Sequence, residues 1–93
     1  MDTYVIIRRG GLQTAQDLEE AAARSTATGE EMPDDIRWIR SYVLDEPDGT
    51  VGTVCIYQAS SEEKIREHAQ RADLPVTEVI PAGGTVVVRP DPA

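Results

Sequence analysis

Ile36-Arg37-Trp38-Ile39-Arg40-Ser41-Tyr42-Val43-Leu44, then Asp45-Glu46-Pro47-Asp48-Gly49, then Thr50-Val51-Gly52-Thr53-Val54-Cys55-Ile56-Tyr57-Gln58-Ala59 is the stretch that decides the fold. Its two flanks are rich in β-branched and aromatic residues, and its middle carries the acids, proline and glycine that turns require. The economical reading is a β-hairpin. Outward on the N-terminal side, Gly29–Asp35 is a polar loop broken by Pro33. Before it, Leu12, Ala15, Leu18, Ala22 and Ser25 recur at spacings of three and four. Thr14 can cap that segment and Asp17 falls in its first turn, which predicts a helix over about 14–27 with Gly29 as its stop. Thr3–Arg8 reads as a first strand ending at Gly10-Gly11.

Outward on the C-terminal side, Ser60 followed by Glu63 resembles a capping box, so a second helix is predicted from about Ser61 to the Leu74-Pro75 stop. Val76–Ile80 is a short apolar strand, Pro81–Gly84 interrupts it, and Thr85–Arg89 resumes as a strong strand; Pro90 and Pro92 lie in a frayed tail. The order strand, helix, strand, strand, helix, strand is the split βαβ arrangement, an α+β class with a four-stranded antiparallel sheet and two helices on one face. A length of 93 residues allows one domain, 1–93, with its ordered core at about 3–89.

Composition narrows the function classes. Seventeen acids against nine bases give a net charge of −8, which argues against nucleic acid and against anionic membranes as partners. No apolar run approaches the roughly 20 residues a membrane span needs, and no signal-peptide pattern opens the chain. Cys55 is the single cysteine, which excludes an intramolecular disulfide and suits a cytoplasmic location. With one histidine besides, one chain cannot assemble a finger-type zinc site.

Strict alternation along the hairpin sorts its side chains into two sets. Ile39, Val43, Val54 and Ile56 form an aliphatic set suited to a helix-covered face. Trp38, Arg40, Tyr42, Cys55 and Tyr57 form the other, holding three of the four aromatic residues and the only thiol. Tyr4, Ile6 and Arg8 are the matching set on the first strand. An exposed face of that kind is expected to be a homodimer interface, or a small-molecule cavity between facing sheets in which Arg40 and Tyr42 orient an acidic or carbonyl ligand. Arg8-Arg9 reads as a solvated strand end, with anion binding as its alternative. His68 lies toward the buried side of the second helix, where it is a packed residue or else a ligand or acid–base group. Cys55 is a small hydrophobe or else a nucleophile. No phosphate loop or nucleophile elbow is present.

Trp38-Ile39-Arg40-Ser41-Tyr42-Val43, Val54-Cys55-Ile56-Tyr57-Gln58-Ala59, Ile65-Arg66-Glu67-His68-Ala69 and Leu74-Pro75 together resemble a family of short bacterial proteins of unknown function, one branch of which is described as nickel-binding. Its corresponding stretches look like W-x-H-S-Y-V, C-x-Y-x-A, I-R-E-H-A and a G-F-P-like turn. The resemblance implies a ferredoxin-like domain that dimerises in the manner of dimeric α/β barrels, and a transition-metal role for which imidazole is a suitable ligand. His68 is then the first candidate metal ligand and Cys55 the second. Arg40 stands where the family often has histidine, and arginine offers a metal no lone pair. The reading is a ferredoxin-like homodimer binding nickel, another metal or a small ligand. The alternatives are a dimeric-barrel enzyme (monooxygenase, isomerase or cyclase type) acting on a carbonyl or polyketide-like substrate, and a non-catalytic protein-interaction module.

Overall fold

A computed structural model describes residues 1–91. The elements follow the expected order: β1 (Asp2–Leu12), α1 (Ala15–Glu30), β2 (Ile36–Asp45), β3 (Val51–Ala59), α2 (Glu62–Arg71) and β4 (Glu78–Pro81). The strands form one antiparallel sheet in the order β2-β3-β1-β4, with both helices on one face, which is the ferredoxin-like α+β fold. Pro92 lies outside the described residues.

The hairpin departs from strict alternation at one point. Trp38 is opposite Tyr57 but Arg40 is opposite Ile56, so Ile39 is an extra residue, a β-bulge. Because the side-chain period of a strand is two, one inserted residue exchanges the faces of everything beyond it. Ile36, Trp38, Ser41 and Val43 therefore share the helix-covered face with Ala59, Tyr57, Cys55 and Thr53, while Arg40, Tyr42 and Leu44 join Val54 and Ile56 on the open face. The expected single surface of Trp38, Arg40, Tyr42, Cys55 and Tyr57 is thus split, and the aliphatic set is split with it. Tyr4, Ile6 and Arg8 do go with Tyr57 and Cys55, but that side is the core rather than the open face.

Helix α1 begins on its expected cap, and α2 on Ser61, one residue beyond the Ser60 of the expected capping box. Thr14 Oγ1 accepts from the Asp17 amide at 3.1 Å, and Ser61 Oγ accepts from the Lys64 amide at 3.3 Å. Ser60 is not the cap; its hydroxyl donates to Asp35 instead. Helix α1 runs through Gly29 to Glu30, slightly past its expected stop. At the end of α2, Asp73 adopts a left-handed φ of 55°, the Leu74 amide donates to the Ala69 carbonyl and the Asp73 amide to the Gln70 carbonyl. That is a Schellman ending with aspartate at the position glycine usually fills. Arg24 of α1 supplements it by donating to the Ala72 carbonyl at 2.8 Å. An Asp73→Gly variant is expected to gain about 0.5–1 kcal/mol by relief of left-handed strain, read as a higher urea midpoint; an unchanged or lower midpoint would show that Asp73 is not strained.

The final strand is shorter than its β propensity suggests. β4 pairs Ile80 with Val5 and Pro81 with Tyr4, and the Ala82 amide donates to the Thr3 carbonyl. Since β1 begins at Asp2, the Thr85–Arg89 run lies past the last β1 residue it could pair with, and it forms no strand. Asp91 instead accepts from Arg40 Nη1 at 2.7 Å and from the Tyr42 hydroxyl at 2.6 Å, on β2 at the far side of the sheet. Residues 82–91 therefore run from β4 at one rim of the sheet to β2 at the other, and Val86, Val87 and Val88 are left 90%, 75% and 80% exposed.

Candidate functional site

Helix α1 presents mostly small residues to the sheet, among them Ala21, Ala22 and Ser25. Small side chains bring α1 over the sheet without filling the space beneath it, and close packing fails locally. The result is a cavity of about 230 Å³ between α1 and the strands. Leu18, Ala21, Val43, Cys55 and Leu74 give it apolar walls, and the rings of Trp38 and Tyr57 line one side. Trp38 and Val43 remain partly exposed, so the cavity meets solvent beside β2.

One charged side chain enters these walls. Arg8 is 6% exposed and lines the cavity. Its Nη1 donates to the Pro75 carbonyl at 2.8 Å, while its Nη2 is buried with no hydrogen-bond partner. No carboxylate forms an ion pair with it among the described residues. The Pro75 contact depends on a glycine: a Cβ on Gly11 would stand 2.6 Å from Pro75 Cγ. Arg8 was expected at a solvated strand end; it is Arg9 that is solvated, paired with Glu46 at 3.1 Å. Parity already sets Arg8 with Tyr4 and Ile6 at the strand period of two, and this side of β1 is the covered one.

Tyr57 connects the cavity to α1 and α2. Its ring stacks on Trp38 at 6.0 Å between centroids and meets the His68 ring edge-on at 5.4 Å, and its hydroxyl shares a 2.7 Å hydrogen bond with Ser25. Burial pushes the Tyr57 pKa up, against the Ser25 hydrogen bond and the Arg8 charge. His68 is 2% exposed, and its Nε2 lies 3.0 Å from the Ser25 carbonyl, which can only accept; the ring is therefore a donor there. Burial holds the His68 pKa below its ordinary value, opposed by the Ser25 carbonyl and reinforced by the charges of Arg8 and Arg71. Both neighbouring groups thus feel the positive charge of Arg8.

The sequence-derived candidates do not converge. Trp38 and Tyr57 lie on the cavity side; Arg40 and Tyr42 lie on the opposite face, exposed and engaged with Asp91. The sheet separates Arg40 from His68, which removes the shared cavity that acid–base chemistry between them would require. Cys55 is buried and donates to Thr53 Oγ1 at 3.4 Å. Among the described residues no three His, Cys, Asp or Glu side chains are grouped to hold a metal. His68 and Cys55 therefore do not make a nickel site within one chain, where an ion would need several donors. No described helix is long and apolar enough to cross a membrane.

Among solved structures, the chain is similar to SCO4226 from Streptomyces coelicolor A3(2), with a TM-score of 0.72 and 15% identity over 90% of this chain and 99% of that one. At that identity the likeness speaks for the fold alone. No curated protein matches. A family profile described as "Nickel responsive protein SCO4226-like" matches residues 4–81, which take in β1 through β4 and the whole cavity, and the chain therefore belongs to the SCO4226-like family.

Proposed function

We propose that this protein is a small-ligand-binding homodimer whose binding site is the cavity beneath α1. The observation that carries the reading is a roughly 230 Å³ apolar space with a buried guanidinium group in its wall. Concave, mostly apolar pockets with a few directed polar groups are how small molecules are held. Support for the dimer comes from the open face, where Val5, Ile7, Val54, Ile56 and Ile80 share one side of the sheet with Tyr42 and no helix covers them. The exposed Val86–Val88 run adds further apolar surface, and a second copy is the economical cover. A cytoplasmic setting belongs to the same reading, supported by the unpaired, buried thiol of Cys55. Native mass spectrometry of freshly purified protein tests both halves at once. The expected spectrum shows a dimer and, before harsh desalting, a retained organic mass; a bare monomer would count against the reading.

A metal-binding role is favoured by the family's description as nickel responsive, yet the donors within one chain do not suit it. Calorimetric titration with nickel is expected to give equally weak heats for the wild type and a His68→Ala variant. A stoichiometric wild-type site lost in the variant would reverse the order of the two readings.

A further inference from the structure

We propose that the cavity beneath α1 binds small apolar monocarboxylates, a single carboxylate on one ring or a short aliphatic body, with Arg8 Nη2 donating to the carboxylate. The inference deepens the ligand-binding reading above and rests on it. A buried charge is normally paired, because removing it from water is costly and an unmade hydrogen bond in the interior keeps that cost. Arg8 has one nitrogen bonded to a carbonyl and another, buried without a hydrogen-bond partner among the described residues, in the wall of an apolar space. The planar guanidinium is matched in shape and charge by a carboxylate.

The walls define the rest of the ligand. Leu18, Ala21, Val43, Cys55 and Leu74 offer only apolar surface to its body. A dry cavity of about 150 Å³ accepts benzene, so 230 Å³ has room for one ring or a chain of roughly six carbons beside the head group. A dianion is disfavoured because Arg8 is the only charged lining residue among the described residues. The hydroxyls nearby are neutral and supply no counter-charge: Ser41 accepts from Trp38 Nε1 at 2.8 Å, Thr53 accepts from Cys55, and Ser25 shares a bond with Tyr57. A second negative charge would be buried without a counter-charge.

Trp38, the only tryptophan, lines the cavity and reports on it. Its fluorescence is to be titrated with hexanoate and benzoate, their neutral counterparts hexanamide and benzamide, and succinate and inorganic phosphate. The acids are expected to saturate the signal with affinities at least tenfold above the amides, with succinate and phosphate weaker than the amides. In Arg8→Met, whose unbranched side chain retains the apolar stem, acid and amide are expected to bind equally. Equal affinity of acid and amide for the wild type would overturn the carboxylate assignment while leaving the cavity as a binding site. No saturable change with any probe would overturn both. The wild-type comparison decides the matter even where the variant folds poorly.

Discussion

A Tyr57→Ala variant is expected to lose about 3–5 kcal/mol of stability, the range for deleting a buried aromatic side chain. For a domain of this size the whole margin is about 5–14 kcal/mol, so the variant should lose a large share of it. Tyr57 is 1% exposed and stands where both helices and two strands meet: Trp38 stacks on it, His68 abuts its edge and Ser25 bonds its hydroxyl. Removing the ring takes all three contacts and enlarges a space that is already incompletely filled. Tyr57→Phe separates the parts, since it keeps the stacking and leaves only the Ser25 hydroxyl without its partner, at about 1–2 kcal/mol. Urea melts of the pair measure this. If alanine costs no more than phenylalanine, the ring contacts carry little of the stability.

Acid is expected to weaken the fold before the carboxylates begin to titrate. His68 has an imidazole pKa depressed below 6.5, by burial first, with Arg8 and Arg71 adding to it and the Ser25 carbonyl opposing. Among the groups around it, Arg8 comes from β1, Tyr57 from β3 and Arg71 from α2, while Glu30 of α1 lines the same surface recess. Above 6.5 the imidazole is neutral in both states and the fold keeps its full stability. Below it the unfolded chain takes up a proton that the folded chain refuses, so stability falls by up to about 1.4 kcal/mol per pH unit. The fall levels off once the folded imidazole itself protonates. Urea midpoints between pH 7.5 and 5.5, compared with a His68→Gln variant, isolate this contribution. Parallel slopes in the two proteins would mean that His68 is not the group responsible.

The helices and their order were legible because their signals are local. Thr14 and Ser61 cap where short polar side chains precede helical periodicity, and the burial of His68 follows from its spacing to Ile65 and Ala72. The faces of the hairpin were not legible. Nothing distinguishes Ile39 chemically from its β-branched neighbours, no glycine or proline marks the bulge, and both sets of alternating residues contain apolar members. Thr85–Arg89 misled in the opposite direction, as a strong intrinsic propensity that finds no strand to pair with. The cavity is a property of packing: it exists because α1 sets small side chains such as Ala21 and Ala22 over the sheet, a relation between segments distant in sequence.

The bulge at Ile39 has a further bearing on assembly, because it sits in one of the two rim strands. Rim strands are where sheets recruit foreign chains by main-chain hydrogen bonding, and local distortion interrupts that templating. The other rim is only four residues long and ends in Pro81, which donates no amide. Lateral growth into open-ended fibres is therefore disfavoured at both sides, which accords with the broadside pairing of copies proposed above.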